Sequence, residues 1–196
     1  MSDIGPATRF KRSSAVALVL AGLAAGAAFS APGAQAGEAK ARCENVRLSP
    51  AEDTRLATQA ILCLLNRERA SRHLRRLRIS TNLTRAASGH SKDMVKRRYF
   101  AHTSPGNVTF DHRIRRARYA PDASAKLGEN LAWGMGDPAL PIEIVRGWMS
   151  SPEHRANILD PAYRSIGIGI SAGVPVDATA SSAASGATYT TDFGSR

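Results

Sequence analysis

Helices come first in this chain and strands last, an order that points to an α+β fold rather than a regular βαβ alternation. Ser49-Pro50-Ala51-Glu52 carries a helix-start signal: Ser49 as N-cap, Pro50 at the first helical position and Glu52 closing a capping box. Leu56, Ala60, Cys63 and Leu64 then recur at helical spacing, which predicts a helix to about Ala70. Asn82 reads as the next N-cap, with Leu83, Ala86, Ala87, His90 and Met94 on one face of a helix ending near Arg98. A loop over 99–108, a short helix from Phe110 to Tyr119 and a turn over 121–124 follow. Residues 126–133 predict a strand that leads into a glycine-rich loop over 134–138. Pro141 to Ser150 predicts a fourth helix with Ile142, Val145, Trp148 and Met149 inward, and Ser151-Pro152-Glu153 opens a further helical turn. In the strand from Tyr163 to Ser171, Ile166, Ile168 and Ile170 alternate with glycines that let a neighbour pack closely. Residues 173–186 are low in complexity and read as a mobile loop; 187–193 form the last strand.

The first 36 residues are set apart from this pattern. Arg9, Lys11 and Arg12 make a basic n-region, and Ala15 to Phe29 is an uncharged, mostly apolar stretch. Ala34-Gln35-Ala36 then offers small residues at both positions a signal peptidase reads. The apolar stretch is shorter than the roughly 20 residues needed to span a bilayer, so cleavage is expected rather than anchoring. The expected organisation is a signal peptide over 1–36, a polar lead-in over 37–48 and one domain over 49–196. About 160 residues remain after cleavage, enough for a proper core. The protein is expected to work outside the cytoplasm, as a monomer, with no transmembrane segment after cleavage.

Cys43 and Cys63 are the two cysteines. An even count in an oxidising compartment predicts a disulfide that ties the lead-in to the first helix. The alternative is that Cys63 is simply buried on its apolar stripe. The chain carries a formal net charge of +11, concentrated in Arg67-to-Arg78, Lys96-Arg97-Arg98 and Arg113-to-Arg118. Such a surface attracts anionic envelope polymers, lipid headgroups or nucleic acid. The ordinary reading is a solvated basic face, and sequence-specific nucleic-acid binding is not expected, because neither a groove-reading motif nor stacking aromatics accompany the charge.

Five histidines follow the expected cleavage point. His73 and His112 sit among arginines and read as solvated; His90 lies on an apolar helix face and reads as a core histidine held by one hydrogen bond. His102 follows Tyr99-Phe100 in a loop with a small polar tail. His154 opens a helical turn just after Trp148, and Glu129 stands between a glycine and an asparagine at a strand edge. Two imidazoles and a carboxylate suit either a divalent metal with an open position or a metal-free acid–base pair. No Gly-x-Ser-x-Gly elbow surrounds Ser104, Ser150 or Ser151.

Five segments resemble the signature blocks of the CAP superfamily, the SCP-domain proteins that include cysteine-rich secretory proteins, insect venom antigen 5 and plant pathogenesis-related proteins. They are Tyr99-Phe100-Ala101-His102-Thr103-Ser104-Pro105, Gly128-Glu129-Asn130-Leu131-Ala132, the run from Trp148 to Leu159, Ile166-Gly167-Ile168-Gly169, and Tyr189 to Gly194. They occur in the family's order across most of the chain, in the short bacterial exported form. The resemblance implies a three-layer α-β-α sandwich with a small antiparallel sheet and a central cleft lined by His102, Glu129 and His154. Some relatives bind zinc or another divalent cation through the two histidines, so His102 and His154 are the candidate metal ligands and Glu129 the candidate catalytic base. The family's second acidic position falls on Ser151, which weakens any mechanism needing two carboxylates. Gly128 is expected to turn the backbone so that Glu129 faces the cleft, Asn130 and Asn157 to be structural, and Trp133 and Trp148 to be core. Two functions stand open at this point. One is a secreted binding or effector module for a lipid, sterol, glycan or peptide. The other is a metal-assisted extracellular hydrolase of peptide, envelope polymer or nucleic acid.

Overall fold

Asp53, not Ser49, starts the first helix. In a computed structural model, α1 spans Thr54–Ala70, and the Asp53 carboxylate accepts from the amides of Arg55 (2.8 Å) and Leu56 (3.0 Å). Ser49 lies in the preceding turn, where its carbonyl accepts from the Glu52 amide at 3.0 Å. A carboxylate that satisfies two orphan amides at the positive end of the helix dipole is the better cap. The structure describes residues 42–120, 124–177 and 185–195. The expected signal peptide, most of the 121–124 turn and residues 178–184 of the low-complexity loop lie outside the described residues.

The remaining helices are α2 (Thr81–Arg97), α3 (Phe110–Arg116), α4 (Pro141–Ser150) and α5 (Pro152–Leu159). Ser80 caps α2 through its hydroxyl; the expected cap, Asn82, instead donates to the Arg118 carbonyl at 2.9 Å and ties α2 to the end of α3. In α4 the buried residues are Pro141, Ile144, Val145 and Trp148. That stripe follows i, i+3, i+4, i+7 from the proline, so Ile144 takes the inward place expected of Ile142 and Met149, which are only partly buried.

Strands β1 (Arg78–Ile79), β2 (Leu127–Met135), β3 (Ser165–Ala172) and β4 (Gly186–Gly194) form one sheet in the order β1-β3-β4-β2. The three long strands are antiparallel, as expected. The sheet as a whole is mixed, because the two-residue β1 runs parallel to β3. Its basic, exposed composition conceals a strand: the Arg78 and Ser80 amides donate to the carbonyls of Arg164 and Ile166, both at 2.9 Å.

Helix α2 covers one face of the sheet, and α1, α4 and α5 pack on the other. The α2 face has almost no room for side chains. A Cβ at Gly167 would lie 2.0 Å from the Leu83 carbonyl carbon, and one at Gly169 would lie 2.3 Å from that of Ala87. The alternating isoleucines point the other way. Ile166 and Ile168 join Trp148, Tyr163, Tyr189 and Phe193 in the main core. Trp133 is half-buried and lies outside that core, contrary to expectation, whereas Trp148 is buried and donates its indole N–H to the Leu131 carbonyl at 2.9 Å.

Two further ties hold the layer around α1. Cys43 and Cys63 are joined by a disulfide that spans 20 positions in sequence. Arg69, read from sequence as part of a solvated basic run, is fully buried. Its guanidinium donates to the carbonyls of Arg75 (2.8 Å), Ile158 (2.7 Å), Asp160 (2.9 Å) and Tyr163 (3.1 Å), bracketing α1, α5 and the entry to β3. Among the described residues, no helix is long and apolar enough to cross a membrane.

Candidate functional site

Successive side chains of a strand point to opposite faces, and on the edge strand β2 that rule divides the site between the two layers. Glu129 pairs across the ladder with Asp192 of β4, which pairs in turn with Gly167 of β3. All three therefore share the α2 face, where Gly167 meets the α2 backbone. The next residue, Asn130, points to the α5 side and donates to the His154 carbonyl at 3.0 Å.

On the α2 side Glu129 is a buried carboxylate with both oxygens engaged. His102 Nδ1 lies 2.8 Å from Oε1, and Arg113 Nη2 donates to Oε2 at 2.7 Å. The Glu129 side chain is 1% exposed, against 53% for His102 and 12% for Arg113. Because an ionised carboxylate only accepts, His102 carries a hydrogen on Nδ1, and in the neutral ring Nε2 then keeps the lone pair. Arg113 also donates from Nη1 to the carbonyls of His102 (2.9 Å) and Val108 (3.0 Å) and to the Ser104 hydroxyl (3.2 Å). One guanidinium thus fixes both the carboxylate and the loop that carries the imidazole.

That loop has a second anchor. His90 is buried, as expected of a core histidine, and its Nε2 lies 3.0 Å from the Ala101 carbonyl. Burial lowers its pKa and outweighs the raising effect of Glu129. The Tyr99 hydroxyl bonds to Asp93 (2.5 Å) and Ser104 (3.0 Å), and burial first, then the bond to Asp93, pushes its pKa up to about 12.

Asp192, like Arg113, is a site residue that sequence reasoning missed. It is 1% exposed, and neither carboxyl oxygen meets a conventional donor. Burial, followed by the neighbouring Glu129 charge, raises its pKa well above the carboxylate range, although Arg113 opposes the shift. A protonated Asp192 can donate to Glu129, and of two carboxyls in one site it is the one whose charged form is disfavoured.

On the α5 side, His154 Nδ1 lies 2.9 Å from the Ser151 hydroxyl. Burial lowers the His154 pKa, and the His102 charge lowers it further, so the two rings lie within electrostatic reach of each other. Asn157 Nδ2 donates to the Glu129 carbonyl (3.2 Å) and to Asn130 Oδ1 (2.9 Å), so both asparagines are the structural ties expected of them. Gly128 acts differently from expectation. It has no left-handed φ, and a Cβ there would lie 2.5 Å from the Tyr163 hydroxyl and 2.9 Å from Asn157 Oδ1. Its role is close approach, not a tight turn.

The fold thus brings His102 to Glu129 directly and joins His154 to the same strand through Asn130 and Asn157. Among the described residues, no three His, Cys, Asp or Glu side chains form a group able to hold a metal ion. His73 and His112 are exposed, as read from sequence, and so is Glu153.

Comparison with known proteins places this geometry in context. The model of the cysteine-rich secretory protein family, CAP, matches residues 62–176. The uncharacterized protein YkwD of Bacillus subtilis is 36% identical over 106 residues, which is 54% of this chain and 39% of that protein. A solved extracellular protein of Bacillus anthracis containing an SCP domain shares 27% identity at a TM-score of 0.56, over 76% of this chain and 44% of that one. An outer surface protein of Borrelia burgdorferi shares the fold at a TM-score of 0.58 and 21% identity, over 74% of this chain and 96% of that one. The chain therefore spans less than half of YkwD and of the B. anthracis protein.

Proposed function

This chain belongs to the cysteine-rich secretory protein (CAP) family, and on that premise we propose that it is an exported binding module whose cleft holds a ligand between His102 and His154. The observation that carries this reading is that Glu129 is buried with a partner on each oxygen. One oxygen serves His102 and the other Arg113, and the side chain is 1% exposed. The hydrolase reading casts Glu129 as the base toward water, and that role needs a carboxylate oxygen within reach of water. Here Glu129 is a strut that fixes the His102 tautomer and presents its Nε2 outward. Among the described residues, Ser104 is held by Tyr99 and Arg113, and the His154 ring that meets Ser151 has no carboxylate hydrogen-bonded to it to orient it as a base.

The two imidazoles fit a divalent cation such as zinc in a limited way. His102 has the carboxylate-anchored ring typical of metal-binding histidines. The lowered His154 pKa keeps that ring neutral, as a ligand must be. With Glu129 fully engaged, the protein supplies two ligands, and the remaining positions fall to water and to the bound molecule. Such an ion would supply a Lewis-acidic position for a ligand oxygen. Ser151 stands where a second carboxylate would have fixed the other ring. A hydroxyl can donate or accept, so the His154 tautomer can follow what the ligand requires. Phe100, 43% exposed two residues before His102, adds apolar surface suited to a lipid, sterol, glycan or peptide.

The Cys43–Cys63 disulfide supports export, since such bonds persist in oxidising compartments. So do the extracellular and outer-surface proteins that share the fold. The test combines calorimetry and activity. Zinc titrated into the wild-type protein should saturate one site, and His102→Ala with His154→Ala should abolish the heat while leaving the circular dichroism unchanged. Absence of heat with wild type removes the metal. Chelator-sensitive cleavage of a peptide, envelope polymer or nucleic acid by the wild type would overturn the binding reading in favour of hydrolysis.

A further inference from the structure

Gly89 lies in the interior of α2, where glycine costs about 1 kcal/mol relative to alanine. Nothing in the packing requires it there. Its backbone is not left-handed, and a Cβ would meet no atom within 4 Å. Beside it, between α2, α3 and the 104–108 loop, lies an open groove of about 490 Å³ that Gly89 helps to line. That volume suits a small molecule, for which pockets run to roughly 300–1,000 Å³.

The cavity wall is strongly cationic. Arg85, Arg97, Arg113 and Arg116 line it, against the single carboxylate of Asp93. Two of these charges are already matched: Arg113 pairs with Glu129 at 2.7 Å, and Arg97 with Asp93 at 3.6 Å. Asp93 has little capacity left, since it also accepts from the Tyr99 hydroxyl. Arg85 donates only to a neutral carbonyl, that of Ala117 at 3.2 Å. Arg116 forms no ion pair among the described residues. Two guanidinium forks therefore face one open space without a countercharge, on a chain whose overall charge also draws anions. Guanidinium geometry matches tetrahedral oxyanions by paired N–H donation, and a phosphate group carries up to two negative charges to balance two such forks.

We propose that the α2–α3 cavity is a second binding site, specific for a small phosphate-bearing molecule, entered over Gly89 and clamped by Arg85 and Arg116. The groove shares Arg113, Ser104 and His90 with the supports of the histidine site, but its ligand does not depend on the reading of that cleft and stands if that reading fails.

Inorganic pyrophosphate is the probe, titrated into the full mature chain by calorimetry at fixed ionic strength. Wild type should bind one equivalent with a Kd below about 1 mM. Arg85→Ala with Arg116→Ala should weaken binding at least tenfold. Gly89→Leu should do the same by filling the cavity, with the thermal midpoint unchanged or raised, because the helix gains a better former. Arg75→Ala with Arg76→Ala, which removes equal charge elsewhere, should stay within twofold of wild type. The proposal is overturned by any of three results: no saturable binding to wild type, equal loss in the Arg75/Arg76 variant, or normal binding by Gly89→Leu.

Discussion

Replacing Arg113 with methionine should be among the most damaging conservative-volume changes in this protein. The substitution deletes a guanidinium that is 12% exposed and leaves a Glu129 carboxylate that is 1% exposed without its cation. It also removes the donor to His102 O, Val108 O and Ser104 Oγ. Breaking a buried ion pair from one side costs about 3–5 kcal/mol, because the surviving charge stays buried. The carbonyls of His102 and Val108 lie nearer solvent and add little. At about 2–4 °C per kcal/mol for a domain of this size, the thermal midpoint should fall by roughly 6–20 °C. A second substitution separates charge from packing. Glu129→Gln in the Arg113→Met background removes the stranded charge, so the double variant should recover about half of the loss or more. Thermal and urea unfolding of the two single variants and the double supply a complete cycle. A single-variant loss under about 1 kcal/mol, or a double variant no more stable than Arg113→Met, would refute the claim that this pair is the electrostatic keystone of the site.

Arg69→Met should cost about 2–5 kcal/mol by urea unfolding, since it takes a donor from four carbonyls, of which Tyr163 O keeps Arg164 and Asp160 O keeps the Tyr163 amide while those of Arg75 and Ile158 lose theirs. Arg69→Lys should recover little, because an ammonium cannot span carbonyls from three elements. Cys43→Ser with Cys63→Ser should lower stability by about 3 kcal/mol, and reduction of the wild type should reproduce that shift. Asp192→Asn should change the pH dependence of stability. The native Asp192 pKa is raised, so between the ordinary carboxyl value and that raised value the folded chain holds a proton that the unfolded chain has released. The stability tied to that proton is fully present below the ordinary carboxyl range and is lost as pH rises through the raised value, by up to about 1.4 kcal/mol per pH unit. Asparagine abolishes this slope, and unfolding measured from pH 4 to 8 should show a flatter profile for the variant.

The helices were legible because their apolar spacing is strong: α1 and α2 end where the periodicity ends, and α4 matches its predicted bounds. Their caps were less legible. Several nearby residues offer a side-chain oxygen, and the backbone geometry decides among them, so Asp53 displaced Ser49 and Ser80 displaced Asn82. The strand β1 gave no local signal at all. Two residues carry no alternation, and their pairing with β3 depends on where the chain exits α1. The glycines of β3 were correctly read as a place of close approach, but only the structure identifies the α2 backbone as the neighbour.

The site shows where such reading meets its physical limit. His102, Glu129 and His154 stand out by residue type, whereas the two groups that set their electrostatics do not. Arg113 sits in a run of arginines that differ only in direction: Arg115 bonds to the nearby Ala120 carbonyl, while Arg113 turns inward to Glu129. A seven-residue helix gives too little periodicity to tell these apart. Asp192 did carry a signal. It is the sole charged residue of β4, a strand buried along its whole length. A carboxyl in such a strand must find a cation, a donor or a proton. Once the register sets it opposite Glu129, with Arg113 already committed to that residue, the proton is what remains. The charge of the site is therefore set by three residues together. One carboxylate is held by one guanidinium and backed by one neutral acid, and the His102 ring takes its orientation from that balance.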